Sequence, residues 1–362
     1  MKYLLCLSLF LTASAFAKQQ PNDHIADLKL VKNINSYRHQ RITSRACFSP
    51  DSSKVVSAST AGTIRLLDLK TGENQVIARS TDFFTVQFSP DGKKVLTSSN
   101  DGTARLIDLN NKNSEIIFQS RYWLYEARFS PDGSMVVVLP FTSKQAPASI
   151  KYLVSGKVEV LEDLSNNSEN FQFSPDSSKL ITLSKEGIVR LRDFKEDTNE
   201  IVPLKYKADQ IQFSPDGTKL IIVADNSVRS RDLKNDKEEI IQRSDEIFKK
   251  KKGIIDTISL SADGRKLVTV ADKQFVWFKD LESGKCKMII QHADYIERVV
   301  ISADSSKVLT ASIDGTARLR NLNTGIEKIL KHNSWVSDAR FSPDGTKIVT
   351  TTFAGDVDIW DI

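Results

Sequence analysis

Along most of the chain, apolar and polar residues follow strand-like patterns in short runs, such as KVLTSS at Lys94–Ser99 and TARLIDL at Thr103–Leu109, and each run stops at a cluster of turn formers. The order of elements is constant. A strand ending in Phe-Ser leads into a Pro-Asp-Gly-type turn, a strand such as KVLTSS, a second turn containing Asp-Gly, a strand such as TARLIDL, and a polar turn such as KTGE at Lys70–Glu73. Copies of the first turn begin at Phe48, Phe88, Phe129, Phe173, Phe213, Leu260, Ile301 and Phe341. Their serines, Ser49, Ser89, Ser130, Ser174, Ser214, Ser261, Ser302 and Ser342, are separated by 40, 41, 44, 40, 47, 41 and 40 residues, so the chain is an array of eight repeats. Four short strands fit one period.

The turn residues have a mechanical reason. Proline presets φ for the first corner, aspartate bonds the backbone two residues on, and glycine accepts positive φ. The period, the SPDG turn, the glycine of the second turn and the strand ending in Asp resemble the WD-repeat β-propeller family over residues 28 to 362. The terminal Trp-Asp of that family survives only as Trp360-Asp361; other copies end in Leu67-Asp68, Ile107-Asp108, Arg192-Asp193, Arg231-Asp232, Lys279-Asp280 and Arg320-Asn321, so these are degenerate members. The resemblance implies an all-β, eight-bladed propeller, each blade a twisted antiparallel sheet around a channel. The last copy ends at Ile362, directly after its third strand, so its outermost strand is expected from the amino-terminal side. The segment 27–34 (DLKLVKNI) is the candidate, and its pairing would remove an open strand edge.

Residues 1 to 17 carry one cation at Lys2, an apolar run from Tyr3 to Phe16 and an A-x-A site at Ala15–Ala17. This is the pattern of a secretory signal peptide, too short for a membrane span, with cleavage expected after Ala17. Cys6 lies too early for a lipoprotein anchor and would leave with it. The expectation is therefore a signal peptide over 1–17 and a single propeller domain over 18–362, a monomer, periplasmic or secreted, with no membrane insertion in the mature form. The 51 Lys and Arg against 46 Asp and Glu make a mixed surface of net charge +5, which argues against nucleic acid as a partner. The remaining cysteines, Cys47 and Cys286, stand in distant repeats and read as small buried residues without disulfide, redox or metal chemistry.

Candidate chemistry is sparse. His39, His292 and His332 each stand ten residues before an anchor serine, a periodicity that argues for structure. In the family this position bonds an Asp of the second turn, a Ser or Thr on the middle strand and a Trp on the third. The copy from His292 supplies Ser312 and Asp314 but Arg320 in place of Trp; that from His332 has Thr352 and Trp360 but Ala354 in place of Asp. His292, Ser312 and Asp314 resemble a hydrolase triad in composition only, because no nucleophile elbow accompanies them. No metal-ligand spacing and no phosphate-cradling glycine turn is present, so neither metal nor cofactor is expected. Arg65, Arg105, Arg190 and Arg318, sixteen residues after their serines, with Arg229 and Lys151 near that register, form a ladder of cations that reads as stems packed between blades with heads paired to nearby Asp. The run Lys249–Lys252 reads as a solvated loop.

Function is sought where the copies differ. Excess length falls around Phe141–Ser149 and Arg243–Gly253, connections that emerge on one face of a propeller, opposite the SPDG and KTGE-type turns. That face also carries the residues at the start of each innermost strand, among them Phe83, Phe84, Tyr122, Trp123, Tyr125, Tyr295 and Trp335, and acids at neighbouring positions: Glu126, Glu169, Asp209, Asp256, Glu297 and Asp338. Aromatic residues on a rim are enriched at interfaces. The expected site is thus Phe84, Trp123, Tyr125, Tyr295, Trp335, Glu126, Asp256, Glu297 and Asp338, an acidic, aromatic-rimmed mouth for a basic or mixed-charge protein or peptide. The expected function is a non-catalytic protein-binding scaffold outside the cytoplasm. The alternative is an extracytoplasmic propeller hydrolase, or a carbohydrate or small-molecule binder, using the channel mouth.

Overall fold

The computed structural model describes residues 37–39, 43–81, 83–140, 148–161, 171–248 and 253–362. The repeats fold into eight four-stranded antiparallel sheets arranged as an eight-bladed propeller. Blade 1 runs from Thr43 to Arg79, blade 2 from Phe83 to Gln119, blade 3 from Leu124 to Leu161 and blade 4 from Phe171 to Val202. Blades 5, 6 and 7 span Gln210–Arg243, Ile255–Gln291 and Ile296–Lys331, and blade 8 begins at Val336. The hydrophobic core is divided accordingly, with one apolar cluster between each pair of neighbouring blades, including blades 8 and 1. The second strand of each blade is apolar on both faces because both faces meet a neighbour: Val55, Val56 and Ala58 in blade 1 are all buried.

The anchor turn is built identically eight times. Each anchor serine hydroxyl donates to the aspartate two residues on at 2.5–2.7 Å. The same hydroxyl accepts the backbone N–H that opens the second strand, as from Lys54 to Ser49 at 2.9 Å. Next comes a residue at positive φ, glycine in five copies and Ser52, Ser177 and Ser305 in three, at φ 60°, 61° and 58°. Two of these serines offset the unfavourable backbone by bonding the neighbouring blade: Asp132 N donates to Ser177 Oγ at 3.0 Å, and Asp344 N to Ser52 Oγ at 3.1 Å.

The second turn needs glycine for a harsher reason. Gly62 sits at φ +75° where a Cβ would lie 2.0 Å from Ser80 O and 2.2 Å from Thr81 O, because the chain entering the next blade crosses directly over it. Gly284 has nearly the same φ, +70°, with nothing within 4 Å. Gly284→Ala should therefore cost only the backbone term, roughly 1 kcal/mol, and Gly62→Ala about 2 kcal/mol or more. Equal urea midpoints for the two variants would refute the crossing as the cause.

Blade 8 is completed from the other end of the chain. Tyr37 and Arg38 pair antiparallel with its third strand, opposite Val357 and Asp356. Closure by an amino-terminal strand is thus as expected, although the paired residues lie later than the anticipated segment 27–34, which is outside the described residues, as are residues 1–17, where a signal peptide is expected. The closure is fastened by side chains: Tyr37 Oη lies 2.6 Å from Ser57 Oγ, and His39 bonds Ser57 and Thr63. Of the long connections, residues 141–147 and 249–252 are outside the described residues. Ser244–Phe248 forms a short helix that buries Ile247.

Candidate binding face and channel

Six of the eight innermost strands carry a bulge, in the described residues, at one register position, five residues before the anchor serine. The displaced residues are Ser44, Phe84, Tyr125, Asp256, Glu297 and Ser337. A bulge places two residues against one and re-aims those beyond it. This separates acids that look adjacent in sequence into two groups. Asp209, Asp256 and Glu297 stand at the bulge position, near the mouth; Glu169 falls outside the described residues. Glu126 and Asp338 stand one residue further in.

Above the bulge is the rim. Trp123, Tyr295 and Trp335 are 51%, 47% and 52% exposed, each two residues before the bulge position, and Ile254 of blade 6 shares that register and is exposed too. Sequence reasoning missed Phe353, in the second turn of blade 8. Its ring lies 5.2 Å from that of Trp335, and its N–H donates to Trp335 O at 2.9 Å, so the turn and the blade entry are one unit. Lys273 similarly lies over the Tyr295 ring, 4.7 Å from its centroid. Tyr125 is half-buried at its bulge, Phe83 is buried between blades, and the Phe84 side chain lies outside the described residues. The Asp256 carboxyl is raised by burial although Lys273 N donates to it at 2.5 Å.

Below the bulge the expected acidic mouth is replaced by ion pairs. Glu126 accepts from Arg45 at 3.1 Å and, at very short range, from Arg128. Asp338 accepts from Arg340 at 2.8 Å and pairs with Arg298 at 3.1 Å. Both carboxylates are buried. Burial pushes the Glu126 and Asp338 carboxyls up, but the two guanidiniums on each more than offset it and hold both below the ordinary range. Arg45 of blade 1 reaches past blade 2 to blade 3, a path open only to a side chain directed into the ring. Nothing in the sequence spacing marked these four arginines except that charged residues recur two and four places before the anchor serine.

The histidine positions hold structural chains, not a catalytic set. His292 is buried, with Nδ1 2.8 Å from Asp314 Oδ2 and Nε2 2.7 Å from Thr310 Oγ1. The hydroxyl partner is therefore Thr310 instead of the expected Ser312, whose Oγ donates to Asp294 O. In blade 8 the hydroxyl is likewise two residues earlier: Trp360 Nε1 donates to Thr350 Oγ1 at 2.8 Å, while His332 pairs with Asp358 at 3.1 Å and packs edge-on to Trp360. Residues two apart on a strand share a face, so Thr310 and Ser312 point the same way, and the ring meets the one further from the second turn. The arginine ladder also pairs locally, mostly with the outermost strand of its own blade: Arg65 with Asn74, Arg229 with Glu238 and Arg318 with Glu327. Arg105 differs, bonding Thr103 and pairing with Asp101, the nearby Asp expected for this ladder. Cys47 and Cys286 are free thiols raised by burial. Among the described residues no group of three or more His, Cys, Asp or Glu could hold a metal ion, and no helix is long and apolar enough to cross a membrane.

Comparison with known proteins agrees with this architecture. The WD40 family, described as WD domain, G-beta repeat, matches residues 30–68, 76–108, 284–321 and 326–361. The last three matches each begin at or near the outermost strand of one blade and end on the third strand of the next, so the sequence repeat and the blade are offset by one strand. A guanine nucleotide-binding protein subunit beta-like protein of Encephalitozoon cuniculi is 30% identical over 115 residues, 30% of this chain and 34% of that protein. THO complex subunit 6 of Arabidopsis thaliana is 38% identical over 72 residues, 20% of each. The chain thus matches about a third and a fifth of the length of these relatives. Among solved structures, the computationally designed Ika8 protein superposes with a TM-score of 0.71 over 90% of this chain and 98% of its own at 17% identity, a likeness of fold alone.

Proposed function

We propose that this WD40-repeat propeller is a non-catalytic scaffold that binds a protein or peptide outside the cytoplasm through the face bearing Trp335 and Phe353. The observation that carries this reading is the exposed Trp335–Phe353 pair, continued around the rim by Tyr295 and Trp123. Large aromatic rings bury much area on binding at little cost in rotamer entropy, and here the main chain beneath Trp335 and Phe353 is fixed by the Phe353 N–H to Trp335 O bond. The blade architecture itself requires none of these rings at the surface, since the cores between blades are already filled. The leader-like pattern of Met1–Ala17 supports action outside the cytoplasm.

The test places a photoreactive phenylalanine analogue at position 335 and, separately, at position 111 in the polar turn of blade 2 on the opposite face, with crosslinking in extracytoplasmic fractions of the source cells. A single protein species should crosslink from position 335 and not from 111. Excess unlabelled protein should compete, and a variant with Trp123, Tyr295, Trp335 and Phe353 all changed to Ala, first shown to melt cooperatively, should compete at least tenfold less well. Equal capture from both faces, or equal competition by the variant, would remove this face from the function.

A further inference from the structure

The innermost strands bring six charges together in the channel, four positive and two negative. The cations come from blades 1, 3, 7 and 8 as Arg45, Arg128, Arg298 and Arg340; the anions are Glu126 and Asp338. The arrangement is layered. The guanidinium side chains keep 27–39% of their surface, whereas the carboxylates keep 3% and 7%, so the cations face the lumen and the acids lie behind them. Each carboxylate is shared by two arginines, which among the described residues leaves two positive charges in excess within the cluster. The excess falls on Arg298: chiefly the neighbouring Arg340, with Arg45 and Arg128 adding, pushes it down to about 10, whereas Asp338 holds Arg340 up. Gln87 of blade 2, in the register of Arg128 and Arg340, holds a buried amide nitrogen with no hydrogen-bond partner among the described residues. The acids at the mouth, Asp209, Asp256 and Glu297, stand on blades 5 to 7, so three of the four cation-bearing blades carry no acid at that level.

We propose that the channel is a binding site for a dianionic phosphoryl group, held between the Arg45–Arg128 and Arg298–Arg340 pairs. Planar guanidinium forks match phosphate oxygens two at a time, and a phosphoryl group concentrates close to two negative charges where a single carboxylate brings one. The site is separate from the aromatic rim and does not depend on what the rim binds.

The experiment is isothermal titration of the full chain at pH 8 with inorganic phosphate, glycerol phosphate and succinate, at constant ionic strength set with chloride. Phosphate or its ester should bind with a Kd of millimolar or tighter and at least tenfold better than succinate; which of the two binds better tells a free ion from an esterified one. Arg45→Gln combined with Arg298→Gln removes the two excess charges while leaving each carboxylate one arginine, so the variant should fold and should bind phosphate at least tenfold more weakly. Arg318→Gln, outside the channel, should bind as the parent does. Should the double variant not melt cooperatively, the single variants Arg45→Gln and Arg298→Gln are each expected to lose affinity at least threefold. No phosphate heat beyond chloride, equal affinity for succinate, or undiminished binding by the variants would overturn the proposal.

Discussion

Replacing Asp338 with Ala is expected to destabilise the protein by about 3 kcal/mol in phosphate-free buffer. Asp338 is buried and is the partner of both Arg298 and Arg340, so its loss leaves two cations facing each other with no counter-charge. Arg298 is already depressed by its cationic neighbours with Asp338 in place, and the change turns a cluster of net +2 into net +3. The figure sits at the low end for breaking a buried pair because both guanidiniums keep a wet edge in the lumen, where water screens part of the repulsion. Urea denaturation of Asp338→Ala against the parent measures it, and Asp338→Ala combined with Arg298→Met should recover most of the loss. A loss under about 1 kcal/mol, or no recovery, would mean that solvent already neutralises these charges.

The second large effect is on acidification, and it acts at the closure. His39 is enclosed by blade 1, bonded to Ser57 and Thr63, and burial, assisted by the Arg65 charge, lowers it to about 4. The unfolded chain takes up that proton at the ordinary value of about 6.5, so between the two values the unfolded state holds more protons and stability must fall as pH falls. The contribution is fully present above about 6.5 and is lost as pH drops toward 4. At about 1.4 kcal/mol per pH unit it amounts to roughly 3 kcal/mol, to which His292, also lowered mainly by burial, adds in the same sense. The parent should lose stability steadily from pH 6.5 to 4.5, and His39→Gln should flatten a large part of that slope. Identical slopes would show that His39 is solvated in the folded state. Below pH 4 both should fall further, as the anchor-turn carboxylates such as Asp176 and Asp304, held low by serine hydroxyls and backbone N–H groups, take up protons.

The sequence reading and the structure diverge where a contact depends on depth along a strand, on a bulge or on a fold-back between distant positions. The anchor turns were legible because Ser, Asp and a positive-φ residue act within five positions of one another, and all eight form the expected bonds. The middle-strand hydroxyls stand two residues earlier than spacing suggests: Thr310, not Ser312, meets His292, and Thr350, not Thr352, meets Trp360, because residues two apart share a face and spacing alone does not say which lies level with the ring. The acids were read as one group because the bulge that divides them leaves no fixed residue type: Ser44, Phe84, Tyr125, Asp256, Glu297 and Ser337 all occupy it. Phe353 escaped notice because its neighbour Trp335 is eighteen positions away and the two meet only when blade 8 folds back on itself.

What the amino-acid order determined alone was everything local and periodic: eight repeats, four strands in each and the turn chemistry. These follow from contacts within about forty residues, which a repeat writes out eight times and so makes visible. Only the closed ring decided the channel. Arg45, Glu126, Arg298 and Asp338 lie up to 293 positions apart in the chain, and their charges meet because the propeller brings every innermost strand to a common axis, where the sign of the site is set by a sum over blades that no single repeat contains.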